Sequence, residues 1–434
     1  MGTPTTAPEG STVTTSLERI LAAEPLPRFA RVRQTLDAPR LDAVAQRIRS
    51  QLGQPAHHGL VRPGQRIGIT VGSRGIANMP LIVRTLADWV REHGATPVLV
   101  PCMGSHGGAT AEGQREMLLG LGFTPEATGC AIVSSMDVTQ IGEVDGLTVL
   151  YATDLLACDG VILANRLKAH TEISGPVESG LWKMAAIGAG KHLGALQAHS
   201  RGLAATGEVV RQLAPIVFRE ANIILGVAVL ENALDQTRDV VVLPTAEIEQ
   251  AEPRLLEESR SHLPRLLIHD IDVLVVDHMG KDVSGAGMDP NVLGRSVVGP
   301  KNPAMNVNQV VVLDLTEASH GNATGIGMAH VTTRRLFDKV DFAATFANGL
   351  TARAIEGSRL PAFMDNDRMA IQCAQRMTLA DDPTRLRTVR IPDTLHLADI
   401  WVSEALLDEV AAHPDLTQVS DAAPLPFDAA GNLL

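Results

Sequence analysis

The stretch from Asn165 to Ser200 gathers a large share of the side chains in this sequence that can carry chemistry. Lys168, His170, Lys183, Lys191, His192 and His199 fall within it, and the other charged residues there are Arg166, Glu172 and Glu178. A lysine amine can bond covalently to a cofactor, and neutral imidazole is the commonest metal ligand. Glycines at 175, 180, 188, 190 and 194 let backbone approach something bulky. The segment reads as a holder for a cofactor rather than as a structural connection.

The elements that must position these side chains follow from the apolar pattern. Ile67 to Val71 is a short strand after the Pro63-Gly64 turn, Leu81 to His93 has helical spacing, and Pro97 to Val100 is the next strand. That order predicts a parallel α/β unit, which takes its ligands beyond the carboxyl ends of the strands. There lie Gly72-Ser-Arg-Gly75 and the loop of Pro101 to Thr110, which carries His106. A β-rich patch spans about 131–150, and a strand over Asp159 to Ala164 delivers the chain into the 165–200 segment. Ala221 to Leu230 reads as a buried strand, and Thr245 to Ser261 as an amphipathic helix with a solvated acidic face. Strands over Ile271 to Val276 and Gln309 to Leu315 open a second region, with helices near Asp367 to Met377 and Ser403 to Ala412. The expected architecture is two α/β domains with the active site in the cleft between them. They are preceded by a small, polar leader over 1–15 and divided as 16–265 and 266–434.

Composition narrows the function. A net charge of -12 argues against nucleic acid or an anionic membrane as partner, and 3% aromatics against base-stacking platforms. Four scattered cysteines without a C-x-x-C pair fit a reducing compartment. With no apolar run of membrane-spanning length and no signal-peptide pattern, the expectation is a cytoplasmic protein. The sequence does not specify an oligomeric state.

From about Ile67 to Ser200 the chain resembles the N-terminal domain of the nickel-dependent lactate racemases, a family of nickel-pincer-nucleotide isomerases. The resemblance rests on Lys183 and His199 sixteen positions apart, an Ala-His-Ser context at His199, Gly104-Ser-His106 after the second strand, His170 ahead of the lysine, and Arg74 after the first strand. It implies a nickel-pincer nucleotide joined covalently to Lys183, nickel ligation by His199, acid–base roles for His106 and His170, and a substrate-binding role for Arg74. It also implies a small hydroxy-acid substrate and cofactor-synthesis proteins as partners. Departures cluster where substrate and cofactor would touch. Val71-Gly72-Ser73 stands where the lactate enzyme has an acidic residue ahead of the arginine, and Gly107 follows the first histidine in place of arginine. Gly180-Leu-Trp182 precedes the lysine, and His170 lies three positions farther from it. A 2-hydroxy acid other than lactate is therefore the expected substrate.

Other readings stand beside this one. Lys191-His192 after Gly190 reads either as a cofactor-phosphate site or as a polar pair at a helix start. Arg74 reads as a carboxylate clamp or as part of a phosphate-binding turn. Lys281 and Arg295 are candidate anchors for further substrate hydroxyls. His320 and His330 flank a glycine-rich loop, better explained as a strand-to-helix turn than as a second metal site. Two alternatives to the isomerase are a metal-dependent hydrolase or lyase built on His106, His170 and His199, and a non-catalytic cofactor-binding homologue. No G-x-S-x-G elbow supports a serine hydrolase, and the glycines at 321–327 lack the dinucleotide-binding spacing.

Overall fold

The computed structural model describes residues 16–434; the leader over 1–15 lies outside the described residues. Two sheets organise the chain. The first has six strands in the order Ala131–Ile132, Thr96–Pro101, Arg66–Val71, Gly160–Arg166, Ile223–Glu231 and Thr237–Pro244. All its neighbours pair in parallel except the last two strands, which run antiparallel. Parallel strands are covered on both faces, which is why they read as unbroken apolar runs. One face packs Ile67, Ile69 and Val71 under Ile82, Leu86 and Val90 of the helix Met79–Glu92. The other packs Val100 and Leu163 under the turn at Leu181–Lys183 and the helix Thr206–Glu220.

The second sheet has eight strands. Ala362–Met364, Val331–Thr333, Asn306–Leu315, Asp270–Met279 and Thr388–Ile391 are parallel, and the sheet continues antiparallel through Asp399–Ser403, Phe29–Gln34 and Leu416–Gln418. It too has a core on each face, with Leu274 and Val276 on one side and Val273 and Val275 on the other. The mixed α/β class expected from the pattern is the one observed.

Two features differ from the sequence reading. Phe29–Gln34, counted with the first region, pairs with Asp399–Ser403 in the second sheet, so the sheets do not divide the chain at a single point. The clustered glycines pack protein on protein. A Cβ at Gly190 would fall 2.8 Å from Gly194 Cα, and one at Gly188 would fall 2.7 Å from the Cys102 carbonyl oxygen. Among the described residues no helix is long and apolar enough to cross a membrane.

Candidate active site

The carboxyl ends of both sheets' parallel strands open into one cavity of about 770 Å³. The first sheet contributes the loops after Val71, Pro101 and Arg166. The second contributes the loop at 281–289, packed against Thr324-Gly325. That packing requires glycine at 325. Its φ is +99°, and a Cβ there would sit 2.6 Å from the carbonyl carbon of Ala286.

Lys183 ends a short helical turn, Leu181–Lys183, which runs on into a π-helical turn, Met184–Gly188. Ala189 N donates to the Met184 carbonyl, the wide i→i+5 bond of such turns, which are frequent at functional sites. The start of the turn is held by a buried carboxylate. Glu252 Oε2 accepts from Leu181 N at 2.7 Å and from Trp182 N at 3.2 Å, while Oε1 has no partner. Burial raises the Glu252 pKa to about 8 against the pull of those two N–H groups, so at neutral pH Oε1 carries a proton. Gly180 is required beside it. A Cβ there would fall 2.6 Å from Glu252 Cδ, and closer still to Oε1. Asn165 Nδ2 donates to the Gly180 carbonyl at 2.9 Å, tying the turn to the end of the strand Gly160–Arg166.

Four polar side chains converge near this lysine. Lys183 Nζ lies 2.7 Å from His170 Nε2. His170 Nδ1 accepts from the backbone N–H groups of Glu172 and Ile173, both at 3.0 Å. His106 Nδ1 donates to the Met103 carbonyl at 2.8 Å, leaving the Nε2 lone pair free toward the cavity. His199 Nδ1 lies 3.1 Å from Thr206 Oγ1, whose own hydrogen goes to the Gly202 carbonyl. The ring therefore donates from Nδ1, and its Nε2 lone pair is free as well. Arg74 makes no hydrogen bond or ion pair among the described residues, whereas Arg166 is paired with Glu231 at 2.6 Å.

Electrostatics set the protonation states. Burial lowers Lys183 to about 8, and Arg74 and Arg166 act in the same direction. His106 sits deep among protein atoms yet stays open to the cleft. Burial lowers it to about 4, opposed by its bond to Met103 and reinforced by Arg74, Lys183 and Lys281. Burial and Lys183 lower His199 to about 4. Lys281, which donates to the Gly285 carbonyl, is lowered to about 8 by burial and Arg74. The wall next to Lys183 is cationic, with Arg74 and Arg166, while Glu172, Glu231, Asp235, Asp282 and Asp289 line the rest of the cavity.

The cavity brings together Arg74, His106, His170, Lys183, His199 and Lys281. It does not include Lys191, His192 or Arg295. Lys191 is fully buried and donates to the Pro101 carbonyl at 2.6 Å, so its ammonium points into the sheet. His192 Nδ1 is buried without a partner. Arg295 is committed to His330 at 3.0 Å and to the carbonyls of Val307 and Asn308. His330 also accepts from Val310 N, which makes it part of the strand packing. The sequence reading missed Glu252, taking its helix as solvated on the acidic face. The signal was present: Glu252 falls in register with Ile248 and Leu256, both buried, on the inward stripe of Thr245–Arg260.

Among the described residues no three His, Cys, Asp or Glu side chains are set to hold a metal ion together. A metal ion held by His199 would need its other ligands from outside the chain, from water or a bound group. The donor set fits such a group: an amine for attachment and the unshared imidazole nitrogens of His106 and His199.

No protein-family model matches the chain, and no curated protein matches it. Solved structures do. The lactate racemase apoprotein from Thermoanaerobacterium thermosaccharolyticum is similar at 10% identity, over 85% of this chain and 99% of that one, with a TM-score of 0.49. A structural-genomics protein from Thermotoga maritima is similar at 10% identity, over 81% and 96%, with a TM-score of 0.46.

Proposed function

We propose that the protein is an isomerase that racemises or epimerises a 2-hydroxy acid other than lactate, using a nickel-pincer nucleotide attached to Lys183 with His199 as a metal ligand. One observation carries this reading. A lysine amine stands beside Arg74 and Arg166, with the unshared Nε2 lone pairs of His106 and His199 open to the same cavity. When bound, the nucleotide supplies an acceptor for hydride, the hard part of inverting a carbon that bears a hydroxyl.

The chain's own residues do the rest. Arg74, without a hydrogen bond or ion pair among the described residues, binds the substrate carboxylate through its fork of N–H donors. Lys281 adds positive charge at the same mouth. His106 Nε2 takes the hydroxyl proton as the carbinol becomes a carbonyl, and returns it afterwards. Burial is the main cause of its low pKa, and an anionic ligand acts against the smaller pull of Arg74 and Lys281. His170 is the second acid–base candidate, for the opposite substrate orientation. Its Nε2 is taken up by Lys183 until that amine is acylated and loses its available lone pair. The hydrolase alternative is not favoured, because both nitrogens of His170 are engaged and no three-ligand cluster is set among the described residues.

The test is intact-protein mass with nickel content, on protein produced alongside the cofactor-synthesis proteins. A nucleotide-sized adduct on Lys183 and about one nickel per chain, as a single such site requires, are expected. Both should vanish in Lys183→Ala. An unmodified mass, or an adduct that survives Lys183→Ala, refutes the reading.

A further inference from the structure

We propose that His170 is a positioning residue that holds Lys183 as a free amine before any group is attached, by donating its Nε2 hydrogen to the Nζ lone pair. The proposal rests on Lys183 being the attachment point, and it concerns a step before attachment.

Hydrogen-bond polarity carries the argument. Two backbone N–H groups, from Glu172 and Ile173, point at His170 Nδ1 from 3.0 Å each. A nitrogen that accepts from two donors carries no hydrogen. A neutral imidazole has one N–H, so it resides on Nε2. That nitrogen is 2.7 Å from Lys183 Nζ. An ammonium there would set two donors against each other without an acceptor, whereas a free amine accepts the Nε2 hydrogen. The ring does not escape by becoming cationic: burial lowers its pKa well below the ordinary value, and Lys301 and Lys168 push the same way.

The ring is fixed as firmly as this role needs. His170 N donates to Glu178 Oε2 at 2.6 Å. The other oxygen of Glu178 accepts from Arg260 at 2.7 Å and from Gly175 N. Lys301, from the second sheet's half, donates to the Ile173 carbonyl at 2.6 Å and closes the loop from outside. Around Lys183 the charged and titratable groups are Arg74, Arg166, His106, His170 and His199, and no carboxylate forms an ion pair with it among the described residues. No carboxylate pairs with Lys183 to favour the ammonium. Part of the Lys183 population is therefore free amine at neutral pH, and acylation of it releases Nε2–H to the cleft.

The experiment uses protein made without the cofactor-synthesis proteins, treated with pyridoxal 5′-phosphate and then borohydride. The amine condenses with the aldehyde, its two hydrogens and the aldehyde oxygen leaving as water, and borohydride supplies the hydride that reduces the imine. Peptide mass spectrometry reads the rate at each lysine against pH. With a pKa of about 8, roughly one Lys183 in ten is free amine at pH 7, against fewer than about one in a thousand at the ordinary 10.5. Wild-type Lys183 should label at least about ten-fold faster than Lys339, which is paired with Asp314 and Glu317. His170→Asn sets an oxygen near the Nδ1 position for the two N–H groups but offers nothing to Nζ. It should slow Lys183 labelling at least about ten-fold at pH 7 and move the midpoint upward. His170→Gln, which restores a donor near Nε2, should recover most of the rate. Labelling of His170→Asn at the wild-type rate, or an equal loss in Asn and Gln with unchanged thermal stability, overturns the proposal. If His170→Asn does not fold, the wild-type imidazole 15N resonances decide: a protonated Nε2 with a bare Nδ1 supports the proposal, and the opposite tautomer overturns it. Labelling can succeed while co-production yields no adduct, and that outcome sinks the isomerase reading alone.

Discussion

Glu252 offers a test of how the lysine turn is built. Its folded pKa is about 8, against an ordinary 4.5, because the carboxyl is buried. Between those values the folded chain holds a proton that the unfolded chain has released. Stability from this group is therefore fully present below about pH 4.5 and is lost as pH rises toward 8, with a slope near 1.4 kcal/mol per pH unit. Glu252→Gln keeps an oxygen for the N–H groups of Leu181 and Trp182 and cannot ionise. Comparing wild type with the variant at pH 5.5 and pH 8 cancels every other titrating group. The difference should be about 3 kcal/mol, on the order of 5–10 °C in unfolding midpoint for a cooperative unit of about 200 residues. The variant should be the less pH-sensitive protein and the more stable one at pH 8. Thermal unfolding followed by circular dichroism measures this. Parallel pH profiles for the two proteins would refute the assignment of a neutral, buried Glu252.

Gly180→Ala drives a methyl into the Glu252 carboxyl; it should cost about 1–3 kcal/mol and slow Lys183 labelling, read by thermal unfolding and mass spectrometry. His199→Ala should lower nickel retention in co-produced protein while the circular dichroism spectrum stays native; unchanged nickel removes His199 from the ligand set. Arg74→Ala should raise KM for an anionic substrate by more than about ten-fold and weaken its salt dependence, as loss of an unpaired cation predicts. Lys191→Met removes a fully buried amine and leaves the Pro101 carbonyl without its donor, so stability should fall by about 1–3 kcal/mol, with nickel content unaffected. A loss of nickel in that variant would restore Lys191 to the cofactor site.

The strands were legible because burial on both faces leaves an apolar run that few other contexts produce, as at Ile67 to Val71 and Ile271 to Val276. Their carboxyl-terminal loops point to the cavity, and Arg74, His106 and Lys281 line it. Phe29–Gln34 was not legible. Its burial alternates, and its partner strand is hundreds of residues away, so no local pattern assigns it to a sheet. The two readings of Lys191 could not be separated in the sequence, because Gly190-Lys-His192 looks the same whether the lysine faces a phosphate or the Pro101 carbonyl. The tautomer of His170 was beyond reach for a similar reason: it depends on where two backbone N–H groups point, which residue types do not encode.

The pairing of Phe29–Gln34 has a consequence for how the chain is made. Arg33 and its partner Asp399 are 366 positions apart. At ribosomal rates of about 5–20 residues per second, the first strand emerges on the order of 20–70 seconds before its partner. During that interval the first six-stranded sheet can fold, because its strands all lie between the two. Phe29, Ala30 and Val32, all buried in the finished fold, stay in water until the end of translation. Early residues thus complete the last sheet, so a nascent-chain truncation before Asp399 should leave this strand open to protease or to a chaperone.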